Sequence, residues 1–149
     1  MTSKADFTEQ EWELVREGPP TAGMITLMAS SGGTFRETWA LAKTFAEARQ
    51  QHGESELLDA LVAEKPDMKR YHSREEAESE GLSRLSQAIA LLDQKASPEE
   101  VESYKRFTLS VAQRVAEAHE EHGTSVSAEE RDALAKIEAT LSASSTGDG

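Results

Sequence analysis

Cysteine is absent from this chain of 149 residues, and no other gap in its composition excludes as much. Without a thiol the protein holds no disulfide, no thiolate zinc site, no cysteine-ligated iron–sulfur cluster and no cysteine nucleophile. The absence also fits a reducing compartment, so we expect a cytoplasmic protein. A chain of this length buries enough surface to fold without covalent or metal staples.

Basic residues and long apolar runs are also scarce. The chain has 16 Lys and Arg against 28 Asp and Glu, a formal net charge of −12, which repels phosphate backbones and anionic lipid headgroups. Its longest apolar stretch, from Ala22 to Ala29, is much too short to cross a bilayer. We therefore expect no nucleic acid and no membrane as partner, which leaves an unidentified protein or self-association.

Strands are not predicted, because no stretch alternates apolar and polar residues. What recurs instead is Ser or Thr followed three residues later by Glu, a pair whose side chains bond each other's backbone amides at a helix start. This pattern predicts an all-α fold, a single irregular helical bundle of six or seven helices with no sheet. The five pairs are Thr8 with Glu11, Thr34 with Glu37, Ser73 with Glu76, Ser97 with Glu100 and Ser127 with Glu130.

The predicted helices occupy seven segments, and the first two are separated by a Gly-Pro-Pro stop at residues 18–20. Phe7 and Trp12 flank the first cap with the spacing of a hydrophobic staple. We expect a flexible N-terminus over residues 1–6, one helical domain over residues 7–142 and a disordered tail over residues 143–149. The helical segments are about 9–17, 21–30, 35–52, 56–62, 74–95, 98–122 and 128–141.

The turn MASSGGTFRE, residues 28–37, is a candidate anion site. Gly32, Gly33 and Thr34 precede a predicted helix whose first amides point outward, and Arg36 adds positive charge. The stretch lacks the lysine of a phosphate-binding loop, and the cap formed by Thr34 already satisfies amides of the same turn. A corner between two helices explains the turn equally well.

A pair of histidines near the end of the sixth segment is a candidate metal site. His119 and His122 lie three residues apart on one helix face and offer two imidazoles, with carboxylates as further ligands. The spacing differs from that of the zinc protease motif, in which the histidines are four apart. Histidine is also favoured at helix C-termini by the helix dipole, which is the alternative interpretation.

The only basic cluster of the acidic chain is a candidate surface for an acidic partner, and a solvated loop is the alternative. Carboxylates are abundant, but most fall in first helical turns or on polar helix faces, and no serine lies in a nucleophile motif. The sequence therefore points away from an enzyme and implies no cofactor. The cluster consists of Lys65, Lys69, Arg70 and Arg74.

Most of the chain falls in three stretches with a distinctive pattern of helix boundaries and aromatic positions. They read FTEQEWELVREGPPTAGMITLMASSGGTFRET, PEEVESYKRFTLSVAQRVAEAHEEHG and VSAEERDALAKIEATL. This pattern resembles a family of small all-helical bacterial proteins of uncharacterised function, and the closing SAEERDALAKIEATL is similar to TerB-like helical domains. The resemblances imply a helical fold and transfer no functional residue.

Together these features predict a non-enzymatic helical domain that acts through protein contact or as a small stress-associated accessory protein. Two alternatives stay open at this point. One is a divalent-metal protein that uses His119 and His122, and the other is a carrier that holds an apolar small molecule in the core of the bundle.

Overall fold

The computed structural model describes residues 4–29, 35–50, 56–63, 71–121 and 128–145, without the side chains of residues 35–39, 118–121 and 143–145. Over these residues the chain is all-α with no strand, which confirms the predicted fold class. A short 3-10 turn at Lys4–Asp6 precedes the helices. The six helices described are α1 (Glu9–Ala29), α2 (Phe35–Gln50), α3 (Glu56–Val62), α4 (Arg74–Lys95), α5 (Pro98–Glu121) and α6 (Ala128–Ser145).

Two of the predicted capping pairs form in full. The amide of Thr8 donates to Glu11 Oε1 at 2.9 Å, and the amide of Glu11 donates to Thr8 Oγ1 at 3.1 Å. Ser97 and Glu100 make the same reciprocal pair at 3.0 and 3.2 Å. The starts of α1 and α5 are therefore set by residues in their own first turns.

The cap of α4 forms by a different pairing. The amide of Glu76 donates to Ser73 Oγ at 3.0 Å as predicted, but the carboxylate of Glu76 accepts from the amide of His72 at 2.6 Å, one residue before the cap. The predicted capping residues Thr34 and Ser127 lie outside the described residues. The helices α2 and α6 begin directly after them.

The predicted break at residues 18–20 is wrong, because α1 continues through Pro19 and Pro20. In a regular helix the backbone oxygen of Val15 accepts from the amide of residue 19, which proline lacks. The buried hydroxyl of Tyr104 on α5 donates to that oxygen at 2.7 Å and replaces the missing donor. Burial, with a further contribution from Glu17, raises the pKa of the Tyr104 phenol, so the hydroxyl stays protonated.

Gly18 makes this contact between α1 and α5 possible. A Cβ atom at this position would lie 1.9 Å from Tyr104 Oη, so only glycine leaves room for the phenol. The adjacent Glu17 accepts hydrogen bonds from Arg84 of α4 at 2.7 and 3.0 Å. The stretch that was predicted to end a helix therefore lies where α1 contacts both α4 and α5.

The second half of α1 lies in the interior of the bundle, with Gly18 to Thr26 all buried. The whole of α1 packs mainly against α4 and α5, and α6 packs against α4 and α1. In α2, Leu41 and Phe45 are buried, whereas Ala42 and Ala46 are exposed. The largest fully buried side chains are Tyr104, Phe45, Ile25, Leu41, Leu57, Leu61, Leu85, Ile89, Leu92, Ile137 and Glu130.

A smaller hydrophobic cluster lies at the C-terminal end of α1. Met24 forms this cluster with Tyr71, which precedes α4, and with Ala77 in the first turn of α4, and the partly buried Met28 packs against it. The methionines therefore have partners within the chain at this end of the bundle. At the other end, Phe7 and Trp12 form the predicted staple, with ring centroids 5.8 Å apart.

Candidate functional site

A cleft of about 270 Å³ opens on the surface where α2, α3 and α5 meet, and we call it the α3 cleft. Its apolar lining consists of Ala48 of α2, Leu58 and Val62 of α3, and Phe107 of α5. Val62 is buried, whereas Ala48, Leu58 and Phe107 are partly buried and keep apolar surface in contact with solvent. A side chain that enters the cleft removes this surface from water, which is favourable.

The ring of Phe107 has a fixed position in the cleft. It packs edge-on against Phe45, with ring centroids 5.3 Å apart and an interplanar angle of 66°. Because Phe45 is only 1% exposed, this contact anchors one side of Phe107 in the core while another side lines the cleft. The aromatic surface is therefore preorganised for contact.

Polar groups line the cleft beside this apolar surface. Ser103, Arg106 and Ser110 of α5 recur at three- and four-residue steps and share one helix face with Phe107. Arg106 Nη2 donates to Ser103 Oγ at 3.3 Å, which ties the guanidinium to its own helix. Asp59 lines the wall that α3 contributes.

Two interhelical contacts hold the walls of the α3 cleft. Arg49 Nε donates to the backbone oxygen of Val62 at the C-terminal end of α3, where both a donor and a positive charge are favourable. Arg114 Nη1 lies 2.9 Å from Glu47 Oε1 and joins α5 to α2. Since α3 has only seven residues and is too short to be stable alone, such tertiary contacts fix its place.

A second cleft, of about 90 Å³, lies between the first turns of α4 and α6 and is mostly acidic. Lys136 Nζ lies 3.0 Å from Glu78 Oε1 and 3.1 Å from Asp132 Oδ2. These hydrogen bonds, that of Glu78 first, raise the pKa of the Lys136 ammonium. The ammonium therefore already neutralises part of the acidic lining.

A third cleft, of about 250 Å³, lies beside the first turns of α1. Its aromatic residues, Phe7 and Trp12, are only 8% and 4% exposed, so they offer little apolar surface. Lys4 Nζ lies 5.9 Å from the centroid of the Trp12 ring and covers part of it. Of the three clefts, the α3 cleft exposes the most apolar side-chain surface.

Among the candidate site residues, Arg74 is the one with a described side chain. It is exposed, begins α4 and lines the acidic cleft with Glu75, Glu78 and Glu129. Arg36 in the first turn of α2 and His119 in the last turns of α5 have helical backbones, but their side chains are not described. The remaining candidates lie outside the described residues: Gly32, Gly33, Thr34, Lys65, Lys69, Arg70 and His122.

Among the described residues, the carboxylates of Glu100 and Glu130 are buried. Glu100 is 8% exposed because it caps α5, and Glu130, in the first turn of α6, is fully buried. Within the described ranges, no group of three or more His, Asp or Glu side chains is placed to hold a metal ion. The metal and anion hypotheses stay predictions.

The α3 cleft itself was not predicted from the sequence. A signal was present, because Ser103, Arg106 and Ser110 recur on the same helix face as Phe107. This face is partly polar, as expected for a surface that is neither fully buried nor fully solvated.

Comparison of the chain with protein-family models, with curated proteins and with solved structures found no match. The resemblances noted from the sequence therefore stay predictions. No helix in the part of the chain that the structure describes is both long enough and apolar enough to span a membrane.

Proposed function

We propose that this protein is a non-enzymatic helical domain that acts by binding another protein, and that the α3 cleft is its contact surface. The observation that carries the proposal is the partly exposed apolar surface of Leu58, Phe107 and Ala48, held between polar residues by three helices. An apolar centre with a polar rim is typical of protein–protein interfaces.

The size of the α3 cleft favours a protein partner over a small molecule. Its volume of about 270 Å³ is close to the lower end of the roughly 300–1,000 Å³ in which drug-sized ligands are enclosed, and because the cleft is open to solvent, a small molecule in it would keep part of its surface in water. A cleft of this size accepts one or two anchoring side chains, while the rest of the partner covers the surrounding rim. We therefore expect an interface that extends beyond the cleft onto α3 and α5.

The absence of cysteine makes a site-specific test possible, because a single introduced thiol is the only one in the protein. We would attach a photo-crosslinker to Ser110→Cys in the cleft and, as a matched control, to Ser86→Cys on the exposed surface of α4. Both proteins are irradiated in lysate of the source organism, and the products are identified by mass spectrometry. We expect a discrete product from the cleft position that the control does not form.

Capture is then checked with purified components. The captured protein should bind the unmodified domain at a fixed stoichiometry in calorimetry, and Ser110→Lys should weaken this binding whereas Ser86→Lys should not. Identical products from both crosslinker positions, or binding that Ser110→Lys leaves unchanged, would overturn the proposal.

A further inference from the structure

We infer that α3 is a detachable element, which opens and recloses as a unit while the other five helices described stay folded. The inference goes beyond the proposed function, because it concerns the free protein and needs no partner. Three observations carry it: the few side chains that α3 buries, the packing of the other helices without it, and the gap that the α3 cleft leaves beside it.

The first observation is how little of the core α3 supplies. Of its seven residues, Leu57, Leu61 and Val62 are buried, whereas Leu58 and Asp59 are partly exposed. The gain from burying three apolar side chains is opposed by the backbone entropy that seven ordered residues lose. Because a helix of this length is not stable alone, opening α3 costs much less free energy than unfolding the whole bundle.

The second observation is that the other helices pack on one another without α3. Helix α1 packs against α4 and α5, α6 packs against α4, and α2 packs against α5. Helix α2 also reaches α1, because a Cβ atom added at Gly23 would lie 2.9 Å from Leu41 Cδ1. The ion pair of Arg114 with Glu47 joins α5 to α2 as well. These contacts do not involve α3, so the bundle keeps them when α3 opens.

The third observation is that packing between α3 and α5 is incomplete. The α3 cleft, of about 270 Å³, is lined by Leu58 and Val62 on the α3 side and by Ser103 and Phe107 on the α5 side. Across such a gap the dispersion contacts of a close-packed interface are lost. The 3-10 turn at Lys4–Asp6, which also packs against α3, has no buried residue. Both contacts therefore hold α3 less firmly than a filled core would.

Opening changes the surface that the protein presents. The hydrogen bond from Arg49 to the Val62 oxygen breaks, and both groups then bond to water, which keeps the net cost of this exchange small. Leu57 and Leu61 leave the core, and the α3 wall of the cleft is removed from beside Phe107. The open form therefore exposes more apolar surface than the closed form.

The test uses the absence of cysteine, because a single introduced thiol is the only one in the chain. Leu61→Cys places it in α3, and Leu85→Cys in the middle of α4 is the matched control. Both leucines are fully buried, so the two substitutions remove the same atoms from equally buried positions. Each protein is mixed with an excess of a thiol reagent at several urea concentrations below its unfolding transition. A buried thiol reacts from open forms, and when reclosing is faster than labelling the rate measures their population.

We expect the thiol of Leu61→Cys to be labelled at least about 100-fold faster than global unfolding of the same variant accounts for. Its rate should rise only slightly with urea, because opening α3 exposes little surface. For Leu85→Cys, global unfolding should account for the rate, which should rise with the full urea slope. Urea unfolding of each variant, followed by circular dichroism, supplies the global stability for both comparisons.

Amide hydrogen exchange of the unmodified protein at increasing urea makes the same measurement without a core substitution. We expect the amides of Leu61 and Val62 to exchange with a shallow urea dependence, and those of Leu41, Phe45 and Leu85 with the slope of global unfolding.

Labelling of Leu61→Cys that global unfolding fully accounts for, or exchange in α3 with the global urea slope, would overturn the inference, because α3 would then open only with the bundle. Shallow exchange that includes Leu41 and Phe45 would also overturn it, since α2 would open together with α3. Both measurements use the free protein, so their outcome is independent of capture at Ser110→Cys, which tests the proposed function.

Discussion

At the scale of single residues, α1 depends on a hydrogen bond from another helix. Pro19 removes the amide that Val15 would otherwise use, and the hydroxyl of Tyr104 takes its place at 2.7 Å. A buried carbonyl without a donor costs more free energy than an average hydrogen bond contributes. This explains why a tyrosine, rather than a phenylalanine, fits this fully buried position.

We predict that Tyr104→Phe lowers the free energy of unfolding by about 1–3 kcal/mol, because it leaves the Val15 oxygen without its donor. In a Pro19→Ala background residue 19 has an amide again, so the same substitution should cost clearly less. Urea unfolding of the four proteins in this double-mutant cycle measures the coupling. An equal cost in both backgrounds would mean that the hydroxyl does not replace the proline's missing donor.

At the scale of elements, the first turn of α1 is joined to the end of α4. Lys95 Nζ donates to Glu11 Oε1 at 2.8 Å and to the backbone oxygen of Asp6 at 3.0 Å. The pKa of the Glu11 carboxyl is lowered, first by the hydrogen bond from Lys95 and then by that from the Thr8 amide. A carboxyl whose pKa is lowered by folding stabilises the fold above its ordinary pKa, and this contribution is lost as pH falls through the folded value.

We predict that Lys95→Met raises the pKa of Glu11 toward its ordinary value, whereas Lys95→Arg keeps it low. Carbon-13 NMR titration of the Glu11 carboxyl measures both. The stability difference between wild type and Lys95→Met should shrink as pH falls from neutral through the folded pKa of Glu11, because the protonated carboxyl no longer pairs with Lys95. A difference that is constant across this range would contradict the assignment of the pKa shift to Lys95.

The short helix α3 depends on its neighbours in the same way. We predict that Arg49→Met, which removes the hydrogen bond to the Val62 oxygen, speeds amide hydrogen exchange in α3 by about tenfold or less. Exchange in the buried turns of α1 and α4 should stay as in wild type. Lys43→Met, on the exposed surface of the same helix, is the matched control. Unchanged exchange in α3 would show that Leu57 and Leu61 hold the helix without Arg49.

At the scale of the whole molecule, the excess of carboxylates opposes compaction. With 28 acidic and 16 basic residues, we predict that raising NaCl from about 0.02 to 0.2 M increases the urea midpoint, because salt screens the net repulsion. Circular dichroism at neutral pH follows the transition. A midpoint that falls with NaCl would mean that ion pairs such as Arg84 with Glu17 outweigh the repulsion.

Local sequence patterns predict where a helix starts better than they predict whether a helix continues. The start at Thr8 and that at Ser97 depend on groups within one turn, so local patterns predict them. The continuation through Pro19 depends on Tyr104, which is 85 residues away in the chain, so local rules predicted a break instead. The helix α6 extends to Ser145, past the predicted end near Leu141.

The sequence by itself determined the all-α class, the starts of α1, α4 and α5 and the acidic charge, because these depend on residues within a few positions of each other or on composition alone. Only the tertiary structure decided that α1 is one helix and that Leu58 and Phe107 line a cleft instead of lying wholly in the core. The physical reason is that both features depend on other helices. A neighbouring helix supplies the hydrogen-bond donor for a carbonyl that lacks one, and neighbouring helices determine which side of an apolar residue stays exposed. No local spacing contains that information.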